Sequence, residues 1–280
     1  MECVKAKALV NIFFSATMLL NTANAKERLV WIQQDFSPFY IKEDGYTNGI
    51  ADKIIDLIQA ELPEYEHEKK FLPIKRVILA MESGANVICI TFLKDDEVSK
   101  IANYSVATMI LPPHVIVTRK EVSSKLKSKM SLIEMKNGRL VMSIPDGRHF
   151  SEEISRQIRA FPRDDLHIRN GDHFRGIARM IVSGRVDYTI AYPFELKYIQ
   201  SANSNMHTLS KIKIDGNDKF IPAYAITPKS VFGNDLIDKV NRALYRIRDT
   251  PEYKSAHVSW IDSDDNFESA YEDFSNGKYD

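Results

Sequence analysis

Two α/β lobes in series, each a mainly parallel sheet flanked by helices, are predicted by three features of the sequence. Strand-like and helix-like segments alternate from end to end. Some strand-like runs, such as Val87 to Phe92, are continuously apolar rather than alternating, which marks strands buried on both faces. The alternation also lapses after Pro112-Pro113 and restarts from Arg139. The last helical segments find no partner in the second unit, so the chain is expected to return to the first. Two crossover hinge segments, near 114–119 and 222–227, then join the lobes, and the cleft between them is a preferred ligand position.

Residues 1–25 stand apart. Lys5 and Lys7 precede a largely apolar run over 8–20, and Ala23-Asn24-Ala25 has the small-x-small pattern of a cleavage site. A secretory leader removed near Ala25, and hence a periplasmic protein, is the expectation. The alternative is an N-terminal anchor, for which the run falls short of the roughly 20 residues a spanning helix needs. No cysteine follows the cleavage site, which argues against a lipoprotein anchor. With 38 basic and 38 acidic residues the chain has no basic excess pointing to nucleic acid. Cys3 leaves with the leader, so Cys89 stands alone and no disulfide is possible within one mature chain. In an apolar strand it reads as a small buried hydrophobe rather than a reactive thiol.

The first unit opens with an apolar run, 29–32, that breaks into the polar and aromatic stretch Gln33-Gln34-Asp35-Phe36-Ser37-Pro38-Phe39-Tyr40. This is a strand delivering a loop to the sheet edge where ligands collect in open α/β folds. A helix beginning near Asn48 follows, with Ile50, Ile54, Leu57, Ile58 and Leu62 at helical spacing before Pro63. An extended segment near 68–72 leads to Pro73, which suits a first helical position, and Gly84 ends that second helix. A polar segment, 94–105, and a lysine-rich solvated loop, 120–129, separate the units. The second unit takes 140–144 as a strand, Ser151 as a helix cap with Glu152 and Glu153 in the first turn, and Asp172 as the cap of the next helix. The strand 186–191 ends in Tyr192-Pro193. Asn234 is the candidate cap of a long helix, and the acidic run 262–280 reads as a frayed tail, with a docking segment as the alternative. The predicted division is a leader (1–25), lobe 1 (26–113 with 222–260), lobe 2 (114–221) and an acidic tail (261–280).

In order along the chain, several pieces resemble the family 3 periplasmic solute-binding proteins, the group that includes amino-acid receptors. They are Asp35-Phe36-Ser37-Pro38-Phe39, Gly45, Gly49-Ile50-Ala51-Asp52, Leu72-Pro73-Ile74-Lys75-Arg76, Met81-Glu82-Ser83-Gly84, Tyr104-Ser105, Ser183-Gly184-Arg185-Val186-Asp187 and Tyr192-Pro193. The resemblance spans almost the whole chain after the leader and implies the two-lobed, type II-like fold of that family. It also implies a small polar solute as ligand, an inner-membrane transporter or membrane sensor as partner, and no cofactor. The two charged anchors of amino-acid-binding members are replaced. The arginine that clamps the ligand carboxylate corresponds to Val98, and the acid that holds the ammonium corresponds to Tyr192, so a standard α-amino acid bound in the usual mode is not expected.

The expected ligand-binding residues are Asp35, Phe36, Phe39, Tyr40, Arg76, Thr91, Phe92, Arg148, His149, Ser151 and Tyr192. Asp35 and the aromatics would suit a cation or amine; the competing reading has Phe39 in the core and Asp35 capping a turn. Arg76 faces the cleft or lies on the surface. Arg148, His149 and Ser151 sit at a helix start that favours anions, or in a solvated turn. Thr91 and Phe92 end a buried strand as cleft lining. No Ser-His-Asp set, paired carboxylates or metal-ligand spacing occurs, so no enzyme, catalytic residue or metal is expected. His149 with Glu152 is the one acid–base pair a dehydratase-like variant of the fold would use. The other alternative is a sensor-accessory or interaction protein with a diverged cleft. A monomer is expected.

Overall fold

The computed structural model describes residues 26–43, 46–162, 166–169 and 173–280. The expected leader with its cleavage site, Gly45 and Asp172 lie outside the described residues. The chain forms two lobes, each built on a sheet flanked by helices.

Lobe 1 begins with β1 (Glu27–Gln33), a two-stranded ribbon of β2 (Lys42–Glu43) and β3 (Tyr46–Thr47), and α1 (Ile50–Ala60). β4 (Tyr65–Phe71), α2 (Ile74–Glu82), β5 (Val87–Phe92), α3 (Asp96–Ile101) and β6 (Ala102–Leu111) follow. The chain crosses to lobe 2 over 112–114. There it forms β7 (Val115–Arg119), α4 (Lys120–Ser123), β8 (Lys129–Met130), α5 (Leu132–Asn137), β9 (Met142–Pro145), α6 (Glu152–Arg159), β10 (Leu166–Arg169) and α7 (His173–Val182). β11 (Tyr188–Ala191), α8 (Pro193–Ala202), a 3-10 turn (Ser204–Thr208) and β12 (Leu209–Ile214) complete that lobe. It returns over 215–220 as β13 (Ile221–Pro228) and ends with α9 (Val231–Ile247), α10 (Pro251–Val258) and α11 (Asp265–Ser275). Among the described residues no helix is long and apolar enough to cross a membrane.

The first sheet runs β4-β1-β5-β13-β6 and the second β10-β9-β11-β7-β12-β8. Pairing is parallel among β4, β1 and β5, and among β10, β9 and β11. It turns antiparallel where strands adjoin the crossings: β13 against β5 and β6, and β7 against β11 and β12. Both crossings lie earlier than expected, and the first is also shorter. Residues 115–119 and 222–227 pair within sheets, because a strand that has reached its lobe satisfies its backbone there.

Gly49 rather than Asn48 starts α1, and the reason is close approach: a Cβ at Gly49 would lie 1.9 Å from the Phe39 carbonyl oxygen. Three residues on, the buried Asp52 carboxylate accepts from Gly49 N (2.8 Å), Ile41 N (3.2 Å) and Gln33 Nε2 (2.5 Å). The Gly-Ile-Ala-Asp piece is therefore a brace that fixes both ends of the 34–41 loop. Burial raises the Asp52 carboxyl above the ordinary range.

Three further expectations are corrected. The long helix α9 is capped by Ser230, whose Oγ accepts from Gly233 N at 3.0 Å, not by Asn234. The lysine-rich stretch is not all loop but carries α4 and β8. The acidic tail is not frayed: it folds as α11, with Phe267, Tyr271 and Phe274 buried against the lobe 1 core. Its aromatics recur at helical spacing, and burying them outweighs the cost of ordering the chain.

Candidate functional site

The loop after β1, the end of β5 and the turn after β9 converge between the lobes, where strand ends from both sheets meet. A small inner chamber of about 50 Å³ lies there, lined from lobe 1 by Gln34, Phe36, Phe39, Thr91 and Phe92 and from lobe 2 by Gly147, Arg148, His149 and Tyr192, among others. Seven of the expected ligand residues are thus brought together: Phe36, Phe39, Thr91, Phe92, Arg148, His149 and Tyr192.

Arg148 dominates this chamber. Its side chain is only 5% exposed, and its guanidinium forks onto Glu195 of α8, Nη1 to Oε1 at 3.0 Å and Nη2 to Oε2 at 2.6 Å. The same guanidinium stands 4.9 Å from the Phe36 ring centre across the cleft and 5.4 Å from that of Tyr192. A bidentate carboxylate and aromatic faces are the partners arginine prefers when withdrawn from water. Glu195 is fully buried and also accepts from Tyr192 N at 2.7 Å, closing the first turn of α8. An acid is therefore present next to the Tyr192 position, but its charge is consumed within lobe 2.

The aromatic stack continues inward. Tyr192 lies against Phe194 (5.1 Å between ring centres) and His114 (3.9 Å), and Phe39 meets Phe194 edge-on at 5.2 Å. His114, on the first crossing, is 1% exposed, and among the described residues neither ring nitrogen has a hydrogen-bond partner. Burial, with Arg148 nearby, holds its pKa well below the usual histidine range, so the ring is neutral. Burial likewise pushes the Tyr192 phenol up.

The lobes touch at the rim of the chamber. Lys75 Nζ is 3.2 Å from Asp146 Oδ2, and His149 Nδ1 is 3.4 Å from Asp95 Oδ2. Gly147, with φ at 72°, lets the turn come against Ile74, whose Cγ2 would lie 2.9 Å from an added Cβ.

Four expected residues are not in this chamber. Tyr40 is 1% exposed and packs in the lobe 1 core, its hydroxyl 3.3 Å from Thr91 Oγ1; it supports the lining rather than forming it. Arg76 is exposed on α2 and does not line the inner chamber. Ser151 is the cap of α6, accepting from Ile154 N at 3.5 Å and lying 3.3 Å from Asn217 Oδ1. Asp35 is exposed and lines a separate outer chamber of about 290 Å³ with Phe36, Ser37, Arg175 and Arg179. Val98 is buried in a core cluster. Its segment serves as a helix start, with Asp95 Oδ1 accepting from Glu97 N and Val98 N. Cys89 is fully buried, and burial pushes its thiol up. Among the described residues no group of histidine, cysteine or acidic side chains could hold a metal ion.

A larger groove, about 1040 Å³, lies behind the crossings between Pro112, Pro113, Phe220 and the α11 region. It is flanked by the hinge rather than by opposed strand ends, which is why the interlobe chambers are the candidate site.

No family model matches the chain, and no curated protein sequence does. Solved structures do. The arginine-, lysine-, histidine-binding protein ArtJ from Geobacillus stearothermophilus superposes with a TM-score of 0.70 at 18% identity, covering 87% of this chain and 99% of that one. The fold is that of the amino-acid-binding periplasmic proteins. A histidine kinase sensor domain similar to periplasmic binding proteins gives 0.68 at 14% identity, covering 85% of this chain and 96% of that one. The ancestral amino-acid-binding protein AncCDT-1, a precursor of cyclohexadienyl dehydratase, gives 0.66 at 17% over 85% and 96%.

Sequence reasoning missed Gln34, Glu195, His114, Arg175 and Arg179. Glu195 alone carried a signal: in Tyr192-Pro193-Phe194-Glu195 it stands at the third position of a helix opened by proline, where a carboxylate caps the backbone. The others depend on which elements face one another across the lobes.

Proposed function

We propose that this chain is a periplasmic binding protein that closes its lobes around a small polar solute, for delivery to an inner-membrane transporter or presentation to a membrane sensor. The observation that carries this reading is the apposition of Arg148 on lobe 2 with Phe36 on lobe 1, at strand ends, beside short crossings that allow hinge closure. The similarity in fold to ArtJ supports a solute-binding role, and the sensor domain of the same fold keeps signalling beside transport. The expected leader supports a periplasmic location. The solute is not an α-amino acid held by the familiar pair of anchors, because Val98 is buried and the Arg148–Glu195 pair is internally neutralised. We read the protein as a monomer and a binder, not an enzyme.

A second reading, an interaction protein with a diverged cleft, is favoured by the size of the inner chamber, far below the roughly 300 Å³ at which ordinary ligand pockets begin. A thermal-shift screen of the mature chain against amino acids, peptides, polyamines, nucleosides and organic acids decides between them. A ligand at about 100 times its dissociation constant adds about 2.7 kcal/mol of stability. A matching contraction in small-angle scattering is expected on binding. A flat response across the whole panel would favour the interaction protein.

A further inference from the structure

The groove of about 1040 Å³ behind the crossings has the volume of a ligand site and an unbalanced charge pattern. On its lobe 2 wall, Lys211 and Lys213 hold alternate positions of β12, so they share one face of the sheet roughly 7 Å apart along the strand. Lys219 joins them from the second crossing. Among the described residues none of these three lysines has an ion pair. The four acids of the lining are all engaged. Asp218 holds Lys129 at 2.7 Å, Asp262 holds Lys197 at 2.6 Å and Asp273 holds Lys278 at 2.5 Å, while Asp264 caps α11 by accepting from Phe267 N at 2.9 Å. The groove therefore spends its acids internally and leaves cations unspent.

Between the charges the lining is apolar. Phe220 and Trp260 are half-buried, and each is held by a ring behind it, Phe267 at 6.2 Å and Tyr198 edge-on at 5.2 Å. At the floor the two crossings are tied together, Asn217 Nδ2 donating to the His114 carbonyl at 3.0 Å. His114 lines the same floor, 1% exposed, with neither ring nitrogen hydrogen-bonded among the described residues. Buried polar groups are ordinarily paired, so an unpaired imidazole beside a cavity points to a polar ligand atom there.

We infer that this groove is a second ligand site, separate from the cleft, for a flat aromatic acid. The ring body lies against Phe220 and Trp260, and the acid groups meet Lys211 and Lys213. Two cations at that spacing suit a dicarboxylate better than a single acid, and a cationic ring would meet only repulsion. An aliphatic diacid would forgo the aromatic wall. Both lobes and both crossings line the groove, so its ligand touches the parts that shift against one another in hinge closure. The site stands whether or not the cleft takes a solute.

Calorimetry on the mature chain with naphthalene-2,6-dicarboxylate, 2-naphthoate, 2-naphthylmethylamine and succinate tests this. The aromatic dicarboxylate should bind most tightly, with the amine and succinate at least about tenfold weaker, as loss of the charge-assisted contacts or of the ring implies. Lys211→Gln combined with Lys213→Gln should weaken the dicarboxylate by about tenfold or more and leave the melting temperature of the unliganded protein unchanged, since both side chains are exposed. Location is read by fluorine NMR of fluorotryptophan-labelled protein. Trp260 lines the groove, whereas Trp31 is fully buried with its Nε1 donating to His67 Nδ1 at 3.0 Å, so only the Trp260 resonance should shift. No saturable heat with either aromatic acid, equal affinity for the amine, or an unshifted Trp260 overturns the inference. So does dicarboxylate binding that survives the double lysine change and is lost in Phe36→Ala, which would put the ligand in the cleft and leave solute binding standing.

Discussion

Two buried arginine–carboxylate forks, one at the carboxyl end of the chain and one in the cleft, use the same chemistry to different ends. Arg248 binds Asp280 through Nη1–Oδ1 at 2.7 Å and Nη2–Oδ2 at 2.8 Å, and its guanidinium stands over Tyr245 and Phe274. Arg148 binds Glu195 and stands over Phe36 and Tyr192. Near each lies a buried neutral histidine. His257, which packs edge-on against Tyr271, spends both nitrogens: Nδ1 lies 3.1 Å from the Tyr253 carbonyl, and Nε2 accepts from Ile110 N at 3.4 Å. His114 spends neither. Among the described residues every partner of the Arg248 fork belongs to lobe 1, so that region can only be held or broken. The Arg148 fork is made within lobe 2 while its aromatic cover comes partly from lobe 1, so opening the lobes uncovers it without breaking it. The difference separates a clamp from a hinged contact.

Removing Arg248 should have the largest effect. Arg248→Ala strands Asp280 and is expected to cost about 3 kcal/mol, the low end for breaking a buried pair because Asp280 is 19% exposed. Urea unfolding measures it, and solute binding by the folded fraction should be unchanged. A cost below about 1 kcal/mol would class the fork with surface pairs and erase the contrast.

Acid tests the two histidines. The pKa of His257 is lowered to about 4 by burial, from an ordinary 6.5. Between those values the unfolded chain takes up a proton that the folded chain refuses. Its contribution to stability is complete above pH 6.5 and declines as pH falls toward 4, at about 1.4 kcal/mol per unit. His114, held low by burial and by Arg148, adds to the slope with the same sign. His257→Gln should flatten part of the acid limb in stability measured from pH 7 to 4. An unaltered slope would mean that the region near the Arg248 fork is wetter than its geometry implies.

Glu195→Gln should cost about 2 kcal/mol, less than full removal of a partner because the amide oxygen still accepts from Arg148 although the counter-charge is gone, and replacing both partners with apolar residues, Arg148→Met with Glu195→Leu, should restore most of it. Unlike Arg248→Ala, this change should also alter which solutes bind. The smallest stability effect belongs to Phe36→Ala, below about 1 kcal/mol because the ring is only half-buried, yet solute binding should be lost. A large stability loss there would make Phe36 a core residue rather than a lining one.

The sequence by itself determined the elements and most of their order. Continuous apolar runs named β5, helical spacing named α1 and α9, and the order of short motifs pointed to the two-lobed family. It also placed Phe36, Thr91, Phe92 and Arg148 at the cleft, because residues at strand ends inherit their position from the strand. Local features misled where chemistry was decided by something distant. Asp35 lines the outer interlobe chamber facing α7 rather than the inner one, and Arg76 is exposed; neither position is written in the neighbouring residues. The acidic tail looked polar on average, while its aromatics share one face that only a packed helix presents to lobe 1. Tertiary structure alone decided that Glu195, 47 positions from Arg148, would neutralise it. It alone set Arg175 opposite Asp35, on the far lobe. Periodicity is a short-range property of the chain and reports what each element buries; charge pairing across a cleft depends on how whole lobes meet.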